Sequence, residues 1–332
     1  MENPRHHRHS FFWPILLIGV GLIWLLVNMG IIAPVTVSQV LQFWPVLLIV
    51  LGLDILFSRR FAWLGSLVAV LAVGGLIAYM VVQPNTGTVT YNSGQSQQDT
   101  YTAPLDQASS VTYNLETFSE PVTISALKEN SDELINADLI HQGQIDFNVT
   151  GTTNKMVTLS ESTNPNNWFS WNFSGINNKW DIALTSRIPA DVKIDGGSGS
   201  INADLSDIQL SSLTTDLGSG SSSFILPKSE DQLDIDINSG SGSVSLTIPD
   251  QTNVTMRIQS GSGALNIQLP QDTGVRVEVM DSGSGSLDLG SSLTKISGDD
   301  ETSTWESKNY EHSAQHILIK LLDRGSGSIS IH

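Results

Sequence analysis

The sequence predicts a membrane-anchored all-β protein, with N-terminal transmembrane helices followed by a β-solenoid-like domain of stacked repeats whose period is about 21–22 residues. Three observations predict it. Long uncharged runs fill most of residues 11–82, a Gly-Ser-Gly motif recurs between positions 197 and 327, and apolar residues alternate with polar ones on both sides of each motif. The mean hydropathy of +0.02 averages two dissimilar parts and describes neither. A formal charge of −17 over 332 residues argues against nucleic acid or an anionic lipid surface as the main partner, because both repel an acidic face. With no cysteine in the chain, disulfides, thiolate metal centres and thiol nucleophiles are excluded.

Residues 1–10 read as a short basic cytoplasmic tail. Its His6, His7 and His9 surround Arg8, and a topogenic flank is the stronger reading than a metal site. Residues 11–32 and 61–82 are uncharged throughout, and each run is long enough to cross about 30 Å of hydrocarbon as helix. Residues 36–53 are uncharged too, and Ser58-Arg59-Arg60 closes that run. The expected elements are a transmembrane hairpin over 11–60 and a third helix over 61–82. The first run is too long for a cleaved signal and two more follow it. Trp13, Trp44 and Trp63 open the three runs, where an indole favours the headgroup level. Arg5, Arg8, Arg59 and Arg60 share one side if the N-terminus is cytoplasmic, and the 33–42 loop has no basic residue. The charge rule therefore predicts a multi-pass protein of the cell membrane with everything beyond Val82 outside.

The hairpin repeats itself. Phe12-Trp13-Pro14, Leu16-Leu17-Ile18 and Gly21-Leu22 return, all at one offset, as Phe43-Trp44-Pro45, Leu47-Leu48-Ile49 and Gly52-Leu53. Proline in a first helical turn loses no hydrogen bond, and glycine deeper in the helix admits a close neighbour. Pro14, Gly21, Pro45 and Gly52 are thus helix-packing candidates, together with Asp54. That carboxylate lies one turn from Arg59 and reads as an ion-paired end residue rather than as part of a proton pathway.

Residues 83–100 are polar and read as a linker, and residues 101–332 as an acidic extracytoplasmic β-repeat domain. Of the chain's acidic side chains only Glu2 and Asp54 precede residue 83, and of its basic ones only the four arginines already named. The acidity is therefore all external. The repeat places paired glycines at Gly197 and Gly199, Gly218 and Gly220, Gly240 and Gly242, Gly261 and Gly263, Gly283 and Gly285, and Gly325 and Gly327. The last step is twice as long as the others and reads as two periods with a degenerate unit near Thr304, inside an insertion over 297–312. Around the motifs, Leu233, Ile235 and Ile237 precede Val244, Leu246 and Ile248, and Val254, Met256 and Ile258 precede Leu265, Ile267 and Leu269. Period two means strands with one buried face. Pro227, Pro249 and Pro270 close strands where a missing N–H is tolerated. One unit is strand, corner, strand and proline turn, and it must stack to bury its apolar face. At the corners, glycine is expected to supply positive φ and the serine hydroxyls to satisfy backbone groups or form ladders between rungs.

No chemistry emerges from these residues. The run Gly-Ser-Gly-Ser has neither the short period nor the internal Asp of a calcium β-roll, and it lacks the spacing of a phosphate loop. His312 and His316 could pair on a helix to hold zinc, but no third ligand is evident. Asp195, Asp204 and Asp207 fall on alternating polar positions, which explains them without a glycosidase pair. The expectation is no enzyme, no cofactor, no metal and no nucleic acid. Trp168, Phe169, Trp171, Phe173 and Trp180 cluster closely among asparagines. They read as a cap on the stack or, alternatively, as interaction aromatics.

The order of these pieces resembles LiaF-like bacterial membrane proteins, in which FWP-x-LLI-x-x-G hairpins of the LiaI/LiaF type precede a β-repeat domain also labelled adhesin-like or toastrack. Trp180-Asp-Ile-Ala-Leu through Ile188-Pro189 to Gly197-Ser-Gly-Ser-Ile201 is similar to the family's first core unit, and Trp305-Glu-Ser-Lys-Asn-Tyr310 through Gly325-Ser-Gly-Ser-Ile329 to its closing segment. The resemblance implies a regulatory or sensory partner in cell-envelope stress signalling, acting in the lipid bilayer on a membrane sensor histidine kinase or another envelope protein. The alternative is a membrane-anchored surface binding module of adhesin type, for which the spans are only an anchor.

Overall fold

The computed structural model describes residues 96–162, 178–281, 283–299 and 302–332. The three expected spans, with Pro14, Gly21, Pro45, Gly52 and Asp54, lie outside the described residues. Among the described residues no helix is long and apolar enough to cross a membrane. Those residues form an all-β unit. Its N-terminal part comprises β1 (Gln97–Pro104), β2 (Ser110–Thr117), β3 (Val122–Ala126), β4 (Glu133–His141), β5 (Gln144–Thr150), β6 (Asn154–Ser162) and β7 (Lys179–Leu184). The repeated units follow in pairs: β8 (Ala190–Gly196) and β9 (Ile201–Asp204), β10 (Leu210–Leu217) and β11 (Ser222–Ile225), β12 (Gln232–Ser239) and β13 (Ser243–Thr247), β14 (Asn253–Ser260) and β15 (Ala264–Gln268), β16 (Gly274–Val279) and β17 (Ser286–Asp288). Then come β18 (Leu293–Gly298) and β19 (Ser303–Ser307), a 3-10 turn over Tyr310–His312, β20 (His316–Asp323) and β21 (Ser328–Ile331).

Two sheets divide the strands. The first runs β1-β4-β7-β3-β9-β11-β13-β15-β21-β17 and the second β18-β19-β16-β20-β14-β12-β10-β8-β2-β6-β5. Each Gly-Ser-Gly unit gives one strand to each sheet, and successive units pair in parallel with matched register, as in Leu233 on Val254 and Val244 on Leu265. The alternation seen in the sequence now has a cause. Leu233, Ile235, Ile237, Val244, Leu246 and Ile248 point between the sheets and are buried, where each side chain contributes roughly 1.5–3 kcal/mol of burial. Antiparallel strands β1, β4 and β5 join one end of the sheets, and Tyr101 of β1 packs on Phe147 of β5 with ring centroids 5.4 Å apart.

One of the inward positions that break the apolar pattern is unsatisfied. Thr215 lies in register between Ile194 and Ile237, is 2% exposed, and its hydroxyl has no partner. An unmet buried hydroxyl costs more than a methyl of the same shape. Thr215→Val is expected to stabilise the domain by about 1 kcal/mol, read as an upward shift of the thermal midpoint; a downward shift contradicts the assignment.

Tyr113 also carries a polar group into the core. Its hydroxyl donates to the Leu134 carbonyl at 2.6 Å, and burial pushes the phenol well above its ordinary range, opposed in part by the backbone of Thr185. Because the native value is the higher one, this stability is complete below about pH 10, where the unfolded phenol titrates. Above that it falls by about 1.4 kcal/mol per pH unit, since only the unfolded chain releases the proton. Urea melts at pH 9 and pH 11 should show that loss in the native sequence and lack it in Tyr113→Phe.

The order of the last units departs from the sequence expectation. In chain order the corners run 261, 283, 325, but in space β20 and β21 lie between β14–β15 and β16–β17. Ser326 N and Gly327 N donate to Gly261 O, and Ser284 N donates to Gly325 O. The double-length last step therefore hides no degenerate unit. Residues 303–307 are β19, which pairs antiparallel with β16 and β18, after which the chain turns back and inserts its final unit one place in from the end. A similar displacement occurs at the other end, where β2–β3 lie between β6–β7 and β8–β9.

Candidate functional site

The corner line is the feature repeated in every unit. At each corner the central serine amide donates to a backbone carbonyl of the adjacent unit, that of Phe118 for Ser198 and a glycine elsewhere, as in Ser219 to Gly197 at 3.1 Å, Ser241 to Gly218 at 3.0 Å and Ser262 to Gly240 at 3.0 Å. Backbone groups are thus satisfied by backbone, and the expectation that serine hydroxyls do this work is corrected. Between corner serines, the hydroxyls of Ser262 and Ser326 meet at 3.0 Å. The reason for glycine also changes. Among the corner glycines only Gly283 and Gly325 have positive φ, +44° and +56°. At Gly199, Gly220, Gly242, Gly263 and Gly327 a Cβ would overlap a carbonyl oxygen of the neighbouring unit, and at Gly218, Gly240, Gly261 and Gly285 it would press on one as well. Gly197 meets the Phe118 carbonyl in the same way. Close stacking of backbone on backbone, rather than bend geometry, excludes side chains there.

Between β6 and β7 the corner is longer. Elsewhere on this line a corner of three to six residues joins the two strands, four of them between Leu217 and Ser222, whereas here Ser162 and Lys179 bracket residues 163–178. Trp168, Phe169, Trp171 and Phe173 belong to this insertion and lie outside the described residues. Trp180 does not belong with them. It is 0% exposed in β7, in register with Val122 and Leu139, so the structure corrects its reading as an interaction aromatic and assigns it to the core. Gln97, at the start of β1, pairs with His141, and Lys179, at the start of β7, pairs with Ile140, so both strand starts lie at the same end of β4.

His141 ties down that end. Buried to 2% exposure, it sets Nε2 3.1 Å from the Asp99 carboxylate of β1 and Nδ1 2.9 Å from the Gly143 carbonyl, while the Glu161 carboxylate accepts from Gly143 N. Sequence reasoning missed this group because Asp99, His141 and Glu161 meet only through strand pairing. The outer face of the second sheet carries cross-strand polar pairs. Ser212 donates to Asp191 at 2.6 Å, Asn238 to Asp216 at 3.1 Å, and Arg257 makes a two-pronged pair with Asp236 at 2.5 and 2.8 Å. Hydrogen bonding to Asp236 raises the Arg257 guanidinium further, as Glu306 does for Arg276. Arg276 also lies over the Tyr310 ring, 4.4 Å from its centroid.

The other sequence candidates are brought to no common site. Asp195 is in register with Glu116 and Asp216 on the solvated face, while Asp204 accepts from Ser206 at 3.1 Å. His312 ends the 3-10 turn and His316 opens β20, with its Nε2 3.0 Å from the Tyr310 carbonyl, so the two do not share a helical face. Among the described residues no group of three His, Cys, Asp or Glu could hold a metal ion.

Comparison with known proteins matches residues 12–91 to the LiaF transmembrane domain and residues 92–247 to the N-terminal domain of toast_rack. No curated protein sequence matches the chain. Among solved structures, a candidate cell adhesion protein from Clostridium sporogenes is 21% identical with a TM-score of 0.44, over 71% of this chain and 99% of its own. A candidate adhesin from Bacteroides fragilis is 10% identical with a TM-score of 0.27, over 72% of this chain and 99% of its own. With a LiaF transmembrane domain leading directly into a toast_rack domain, this chain is a LiaF-like membrane protein.

Proposed function

We propose that this protein is a non-enzymatic regulatory partner in cell-envelope stress signalling, whose transmembrane hairpin contacts a membrane protein such as a sensor histidine kinase. The observation that carries the reading is the direct passage from the LiaF transmembrane match, ending at residue 91, to the toast_rack match, beginning at residue 92. In this reading residues 11–32, 36–57 and 61–82 span the bilayer, the N-terminus is cytoplasmic, and the paired units form a β-solenoid outside. In this reading Trp168, Phe169, Trp171 and Phe173, clustered in the sequence, serve the membrane interface or a partner held there. Photo-crosslinkers at Gly21 and Gly52 in native membranes test the reading. Capture of a membrane protein at both positions is the expected result, and capture of none sinks it. A reporter fused after His332 tests the topology, for which activity on the cytoplasmic side is the adverse result.

A surface-binding role of adhesin type is the second reading. It is favoured by the outer face of the first sheet, where Asn202, Ser223, Ser245, Asn266 and Ser330 align across five strands and leave small polar side chains facing out. If that reading holds, deleting residues 1–60 while keeping the third span preserves function; under the regulatory reading the deletion abolishes it.

A further inference from the structure

The unit β16–β17 carries the spacing for a place it does not occupy. Leu233, Val254 and Val275 are evenly spaced along the chain, and Val254 pairs directly with Leu233. Likewise the step from Ser222 to Val244, which pair, equals the step from Leu265 to Leu287. Yet Val254 and Val275 both pair with Ile317, and Leu265 and Leu287 both pair with Ile329. The final unit fills the position that the repeat assigns to the one before it. The connection fits the same view. Residues 248–252 join β13 to β14 across one strand spacing, and residues 269–273, equal in number, join β15 to β16 across two.

We propose that residues 316–332 are a removable insert, and that the domain has a second register in which β16–β17 close directly onto β14–β15. Moving the outer unit in by one strand spacing sets Val275 on Val254, Val277 on Met256 and Leu287 on Leu265, with no change of face. On the outside the move brings Glu278 opposite Arg257. In the inserted arrangement Arg257 instead neighbours Lys320, whose amine lies 3.8 Å from the Glu278 carboxylate. The regular corner conformation is also interrupted only around the insert, since Gly325 and Gly283 are the corner glycines with positive φ. Burial of Ile317, Ile319, Leu321, Ile329 and Ile331 makes insertion the ground state, and withdrawal frees that alternating strand pair for contact elsewhere. The N-terminal end has no such alternative. Val111 sits between Lys155 and Ala190, whose separation along the chain is foreign to the repeat.

The chain has no cysteine, so engineered pairs report single contacts. In the full-length protein in membranes, Asn266→Cys with Asp288→Cys puts the thiols on strands two spacings apart, about 9.5 Å, beyond the about 7 Å that a disulfide tolerates. In the second register these strands are adjacent. Ser245→Cys with Asn266→Cys is adjacent in both arrangements and sets the reference rate. Under a mild oxidant the 266–288 disulfide should form about ten to a thousand times more slowly than the reference, as for a minor state of about 0.1–10%. Trypsin should then cut the cross-linked chain at Lys320 and Arg324 and spare Arg276. Gly325→Val, whose side chain would overlap the Gly261 carbonyl in the inserted arrangement, should speed the cross-link. Absence of the 266–288 disulfide after about a thousand reference half-times overturns the proposal whatever Gly325→Val does. Cleavage at Arg276 with Lys320 protected overturns it as well, because it means that the outer unit frays while the insert stays.

Discussion

Alanine at Gly242 lowers the thermal midpoint of the β domain by about 6–12 °C. The added Cβ would overlap the Gly220 carbonyl of one neighbouring unit, while the Gly242 carbonyl itself is where a Cβ on Gly263 would sit. Both obstacles are backbone, held on either side by parallel ladders, so no rotamer change relieves them. Overpacking of this kind costs about 3 kcal/mol or more, and each kcal/mol moves the midpoint of a domain this size by about 2–4 °C. Gly240→Val and Gly261→Val act in the same direction. Ser241→Ala is the control, expected within about 0.5 kcal/mol of the native protein. Calorimetry of the four variants decides, and an unchanged midpoint for Gly242→Ala would mean that stacking does not impose the glycines.

Truncating Trp180 to alanine has the second large effect, a loss of about 3–5 kcal/mol. The indole is fully buried where β7 meets β3 and β4, and its Nε1 has no hydrogen-bond partner among the described residues. Trp180→Phe, which discards that unmet N–H and keeps most of the apolar contact, should cost distinctly less. Trp168→Ala and Trp171→Ala, if they serve contact rather than folding, leave chemical denaturation within about 0.5 kcal/mol of the native protein while abolishing partner capture. Equal losses from Trp168→Ala and Trp180→Ala would instead make the insertion a cap.

Local patterns were legible in the sequence and long-range pairings were not. Alternation such as Leu233, Ile235 and Ile237 announces buried strand faces, and the regular step between Gly-Ser-Gly motifs announces stacked units, because each depends on residues close in the chain. The unit at Gly325 was misassigned because the pairing of Val254 with Ile317 skips the unit between them in the chain and leaves no periodic trace. Strands β1, β4 and β5 escaped notice for a related reason, since they pair antiparallel and carry no Gly-Ser-Gly. Trp180 was grouped with its aromatic neighbours by distance along the chain, although a strand boundary at Lys179 separates it from them. Of the candidate site, the glycine line was fully visible. Its reason was not, because a carbonyl from another unit has no signature at the glycine it excludes.

The inserted final unit also sets the timetable of biosynthesis. A stack built strictly in chain order could complete each layer as the polypeptide emerges, with the newest strands always added to the outside. Here β20 and β21 follow β16 and β17 in the chain yet sit between them and β14–β15, so their neighbours on both sides belong to segments made earlier. The layer order is therefore completed only once residues 316–331 have been made, and a chain lacking them keeps every earlier corner but never reaches the finished order.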